Sequence, residues 1–108
     1  MMSSYTINKD FLLLDALVQI ENNHHRSLIV LNDDNKVVGS LSDGDIRRAL
    51  INRIILSSKI YNTMNLDYIF VEEDATDIEV ENIFNISDIF ILPRVDKNRI
   101  LLDLHFKP

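Results

Sequence analysis

The chain has 108 residues, with 17 acidic and 11 basic side chains for a net charge of -6, 46% hydrophobic residues, two glycines, two prolines and no cysteine. That size describes one small domain able to bury about two-thirds of the surface its unfolded form exposes, with no need of a metal or a disulfide to fold. The missing cysteine excludes thiol catalysis, zinc-thiolate sites and iron-sulfur clusters, the acidic balance without a basic run argues against nucleic acid, and no apolar stretch nears the ~20 residues that span a bilayer. The N-terminus lacks a charged segment followed by a long apolar one, so no export signal is read and a cytoplasmic location is expected.

In chain order, Thr6 to Asn8 is a short extended piece leading to a helix from about Phe11 to Asn22. Leu13, Ala16, Leu17 and Ile20 recur there at i, i+3, i+4 and i+7 and form one apolar face, with Asp10 placed as N-cap. Leu28 to Leu31 is a continuous apolar run, as expected of a strand buried on both faces. Asn32 to Asn35 is turn chemistry, and Lys36 to Leu41 returns as a second strand. Ser42-Asp43-Gly44-Asp45 opens another helix, with Ile46, Ala49 and Leu50 at helical spacing.

After a connecting segment the pattern recurs as Tyr68 to Val71, a helix from about Thr76 to Asn85, Ile89 to Leu92, a turn at Asp96 to Asn98, and Arg99 to Leu104. Sliding the chain by 64 positions superposes Ile7 to Asn32 on Val71 to Asp96 without a gap. Dropping one residue in the next turn places Lys36, Val37 and Val38 on Arg99, Ile100 and Leu101. The chain therefore reads as two copies of one α/β (α+β) unit, each strand-helix-strand-strand-helix, related by a pseudo-two-fold. The first spans residues 1–54, a linker 55–66, and the second unit 67–108, which stops before its final helix. The acidity gathers in the second unit, in Glu72, Glu73, Asp74, Asp77, Glu79, Glu81 and Asp88, and reads as a solvated helix face.

Gly39-x-x-Ser42-x-x-Asp45 carries the chemistry. A glycine near a strand end admits close approach to the backbone, and Ser42 at a helix start sets a hydroxyl beside unpaired amides and the positive end of the dipole. Asp45, one turn on, can accept hydrogen bonds from vicinal hydroxyls. The same Ser-x-x-Asp spacing also suits an ordinary capping box that touches no ligand. The spacing leaves both readings open.

The run Leu28 to Leu50, with its Gly-x-x-Ser-x-x-Asp spacing inside a tandem repeat, resembles the CBS motif, and the resemblance covers about Ile7 to Phe106. It implies a CBS pair, or Bateman module, that binds AMP, ADP, ATP or another purine nucleotide without requiring a cofactor. In that comparison Ser42 meets phosphate, Asp45 holds ribose, and Ile7 and Ile29 wall the base, with Gly39 allowing approach and Arg47 and Arg48 adding charge. In the second unit Leu102 falls on the glycine, His105 on the hydroxyl and Pro108 on the carboxylate, with Asp103 adding repulsion, so no such site is expected there.

The wording Ser42 to Leu50 is similar to CBS pairs attached to bacterial sugar-phosphate enzymes, either N-terminal to a sugar-phosphate nucleotidyltransferase or C-terminal to an arabinose-5-phosphate isomerase. The start at Met and the closing Leu102 to Phe106 favour the first. The resemblance thus implies a non-catalytic regulatory module with an adjoining catalytic domain, and association into a homodimer, to which apolar side chains such as Phe11, Leu12 and Leu14 are suited. The alternative is an interaction module without ligand. His24 and His25 lack a third ligand at a recognisable spacing, Asp33 and Asp34 sit in a turn, and no Ser-His-Asp set, Walker loop or zincin helix is present.

Overall fold

The computed structural model describes residues 2–108. Residues Met2–Ser4 form a 3-10 turn ahead of β1 (Thr6–Asn8), and α1 (Leu13–Asn23), β2 (Ser27–Leu31), β3 (Val37–Ser42) and α2 (Asp43–Ile51) complete the first unit. After a 3-10 turn at Ile60–Asn62 come β4 (Val71–Glu72), α3 (Asp77–Ile86), β5 (Ile91–Val95) and β6 (Leu101–Phe106). Each unit holds a three-stranded sheet, ordered β1-β2-β3 and β4-β5-β6, whose first pair is parallel and second antiparallel. This is the mixed α+β tandem expected, with the second unit lacking its last helix among the described residues.

The repeat runs without any gap. In the first hairpin Val30 opposes Gly39 and Ser27 opposes Ser42, and 64 positions on Arg94 opposes Asp103 and Ile91 opposes Phe106. The one-residue deletion read from sequence is therefore wrong. Asp103 stands at the glycine position and Phe106 at the hydroxyl position, not Leu102 and His105. The cause lies in the turns, where Asn35 and Arg99 both take left-handed backbone, at φ 61° and 68°. Asparagine advertises such a turn and arginine does not. The strand expected at Ile89 to Leu92 likewise starts at Ile91 and ends at Val95. Pro93 is accepted inside it because β4 pairs only with Arg94 and Val95, so no ladder bond is lost at the proline.

The two hairpin turns clasp each other. Val37 N–H donates to the Arg99 carbonyl at 2.9 Å and Leu101 N–H to that of Asn35 at 3.0 Å, a reciprocal pair that marks the pseudo-two-fold. Arg99 sets its guanidinium 3.9 Å from the Phe70 ring centroid and donates to the Tyr68 hydroxyl at 2.7 Å, which repays part of its backbone strain.

Packing is in three layers. Leu13, Ala16, Ile20, Leu28, Val30, Leu41 and Ile46 fill the helix side of the first sheet, and Val71, Val80, Phe84 and Leu92 that of the second. Between the units lie Ile29, Val37, Ile91, Val95 and Leu104. Each fully buried Leu or Ile contributes about 1.5–3 kcal/mol. Helix α1 begins at Leu13, two residues later than expected, and Asp10 is not its cap. The Asp15 carboxylate accepts from Leu12 N–H at 2.9 Å instead, while Asp10 lies in a turn, its N–H on Asn8 Oδ1 and its carboxylate on Lys9 Nζ. That contact raises the Lys9 ammonium above its usual value.

The linker packs on the first unit. Leu13 and Leu14 N–H donate to the carbonyls of Ser58 and Leu56 at 2.9 and 3.0 Å, supplying partners for the first turn of α1. Ile60 is fully buried in the first core, and Asn65 exchanges two backbone hydrogen bonds with Ser40 along the β3 edge.

Candidate functional site

The register of β2 and the start of α2 build one end of a cleft between the units. Ser27, Leu28 and Ile29 come from β2, Ser40 to Asp45 from the β3–α2 junction, Asn65 and Ile69 from the linker region, and Ser87 to Ile91 from the junction of α3 with β5. The space measures about 320 Å³, at the lower end of small-molecule sites.

Ser42 and Asp45 form a complete capping box. Ser42 Oγ accepts from Asp45 N–H and Asp45 Oδ2 accepts from Ser42 N–H, both at 3.0 Å. Arg48 Nη2 donates to the other carboxylate oxygen at 2.7 Å. The two readings left open by the spacing are not exclusive. The Ser42 hydroxyl keeps its own proton to donate, and a carboxylate has about four lone-pair sites, of which these contacts use two. Seated at the positive end of α2, the pair can present a donor and an acceptor to the cleft while capping the helix.

Of the other residues singled out from sequence, Ile29 lines the cleft and is 2% exposed. Ile7 does not. It pairs with Val30 and so shares that residue's face, packing under α1 in the first core. Gly39 opposes Val30 outside the cleft, and the space before it is taken by the protein itself: a Cβ there would lie 2.9 Å from Met64 Cγ and Sδ and 3.1 Å from the Asn65 carbonyl oxygen. Arg47 points to a different groove, with Leu17, Ile46, Leu50 and Ile51. Arg48, next to it, is the one that reaches the cleft.

Sequence reading missed the far wall, Ile69 and Ser87 to Phe90. The 64-residue repeat held the signal, because a pseudo-two-fold sets the α3–β5 junction of one unit against the β3–α2 junction of the other.

The mate of this cleft is closed by three rings. Phe106 replaces Ser42, Tyr5 replaces Ile69 and His25 replaces Ile89 under the repeat. Their centroids lie 4.6 Å apart for Tyr5–Phe106, 5.0 Å for His25–Phe106 and 5.1 Å for Tyr5–His25. His105 faces elsewhere, its Nε2 accepting from Arg94 Nε at 3.2 Å. Arg94 also donates to the carbonyls of Glu72, Glu73 and Ala75, so it is a structural tie between β5 and the approach to α3. No group of three or more potential metal ligands occurs among the described residues, and no helix among them is long and apolar enough to cross a membrane.

Residues 1–52 match the family model of the CBS domain. Two uncharacterized proteins of Helicobacter pylori, of strains J99 and 26695, are 37% and 36% identical over 93 residues, which is 84% of this chain and 28% of each of theirs. The chain thus spans about 28% of the length of the curated relatives it matches. Among solved structures, a Vibrio cholerae protein assigned to acetoin utilization, AcuB, superposes with a TM-score of 0.85 at 21% identity over 94% of this chain and 76% of that one. A CBS domain pair/ACT domain protein of Thermotoga maritima gives 0.81 at 17% identity over 98% and 84%. The cytosolic domain of the Mg2+ channel MgtE in complex with ATP gives 0.75 at 17% over 95% and 42%. The fold is that of a CBS domain pair, and the first half carries the CBS sequence pattern.

Proposed function

We propose that this CBS pair is a regulatory module that binds one purine nucleotide or adenosine-containing ligand per chain, in the cleft headed by Ser42 and Asp45. The observation that carries the reading is the contrast between two positions related by the repeat: one is an open cleft of about 320 Å³ with a hydroxyl, a carboxylate and a helix N-terminus at its mouth, and the other is filled by Tyr5, His25 and Phe106. Ser42 donates to phosphate, Asp45 accepts from ribose, and Ile29, Ile69 and Ile89 offer apolar surface to a base. The ATP complex of the MgtE cytosolic domain supports nucleotide as the ligand class by likeness of fold alone.

Ligand binding would bias a neighbouring catalytic domain by linkage. The relatives, of which the matched segment is 28%, leave room for such a domain, and a cytoplasmic sugar-phosphate nucleotidyltransferase is the activity we assign to it. Isothermal titration with adenine and guanine nucleotides tests the reading; no heat with any of them overturns it.

A second reading, an interaction module, draws on the outer face of the helices of the first unit, where Leu14, Val18, Leu50 and Ile51 are exposed. A homodimer formed through this face is compatible with nucleotide binding and does not require it.

A further inference from the structure

We infer that the cleft selects against phosphate charge, taking a nucleoside or nucleoside monophosphate in preference to the triphosphate, and that Asp88 sets this limit. The inference rests on the nucleotide reading above and names the ligand class that the same site accepts.

The cleft lining carries three carboxylates, Asp43, Asp45 and Asp88, against one cation, Arg48. That cation is already engaged, 2.7 Å from the Asp45 carboxylate. Arg26 and Lys107 approach only the Phe90 ring, at 5.9 and 6.0 Å from its centroid, and neither lines the space.

The two walls differ in sign. The N-terminus of α2 favours an anion, which suits a single phosphate beside Ser42. The opposite wall is the end of α3, where helix carbonyls carry the negative end of the dipole and Ser87 Oγ already bonds the Ile83 carbonyl at 2.6 Å. Asp88 follows directly. Its carboxylate makes no ion pair or side-chain hydrogen bond among the described residues. Each further phosphate adds negative charge beside that wall and is repelled by it.

The test uses the 108-residue chain in magnesium-free buffer, titrated with adenosine, AMP, ADP and ATP at low and high salt. Beyond the monophosphate, affinity should fall about three- to tenfold per added phosphate at low salt, and the steps should shrink at high salt. Asp88→Asn, at an exposed residue without bonds to lose, should tighten ATP several-fold more than it changes adenosine. Glu79→Gln, which removes the same charge from α3 outside the cleft, should change neither. ATP binding as tightly as AMP to the wild type, or Asp88→Asn altering adenosine and ATP alike, overturns the inference while the site reading stands. Silence from all four ligands overturns the site reading and this inference together.

Discussion

Gly39 lies against Met64 so closely that a single added carbon would sit 2.9 Å from two of its atoms. The glycine of the motif is thus spent on the contact between β3 and the linker. Gly39→Ala should destabilise the chain by about 1–3 kcal/mol, the usual cost of overpacking, seen as a lower urea midpoint. Because the Met64 side chain can shift and the Asn65 carbonyl cannot, adding Met64→Ala should recover only part of the loss. Full additivity of the two substitutions would show that they do not share a contact.

Asp45→Ala removes the acceptor of Ser42 N–H and the partner of Arg48. Loss of the capping interaction should cost about 1 kcal/mol without ligand, the exposed ion pair adding little. Under the proposed function, ligand at a hundred times its dissociation constant stabilises the wild type by about 2.7 kcal/mol, and Asp45→Ala should lose most of that increment. His105→Ala, on the second sheet, should keep it whatever its own effect on the unliganded protein. Calorimetric melting with and without AMP separates the two effects.

Phe106→Ala breaks two of the three ring contacts in the closed cleft. The expected loss is about 1–3 kcal/mol, lower than for a fully buried ring because Phe106 is 37% exposed. Ile86→Ala, at a residue 85% exposed, should stay within about 0.5 kcal/mol. Equal effects from the two would remove the rings as a structural element.

If the helix face of the first unit forms a dimer, the double variant Leu14→Glu and Val18→Glu should sediment as a monomer at micromolar concentration with its melting cooperativity intact. Both side chains are about half exposed, so the folded chain loses little by the change. A wild type that is itself monomeric would dispose of the interaction reading.

Period and composition made much of this fold legible. Leu13, Ala16 and Ile20 are buried where helical spacing put them, whereas Leu17 of the same expected face is exposed, and Leu28 to Val30 form the expected central strand. What escaped lay where backbone conformation departs from residue preference. Arg99 in left-handed backbone hid the second turn and shifted the reading of β6 by one residue, which in a strand exchanges the faces. Leu12, with no capping side chain, starts α1 because the linker supplies carbonyls and the helix's own first turn supplies Asp15. At the candidate cleft, the capping box of Ser42 and Asp45 was legible because its bonds are local. Ile7 was misplaced, since its face is set by pairing with Val30, and Gly39 because its neighbour is 25 residues away in Met64.

The contacts of residues 56–65 bear on how the chain assembles as it leaves the ribosome. A nascent chain that has emerged only through α2 has both strands of its hairpin and both helices, yet lacks the carbonyls of Leu56 and Ser58 that receive Leu13 and Leu14, and the side chain of Ile60. Its core stays open on one side until about a dozen further residues are out. Completion of the first core is therefore gated by a strap made after it. Release of a stalled chain from arrest should rise near the emergence of Ile60 rather than at the end of α2.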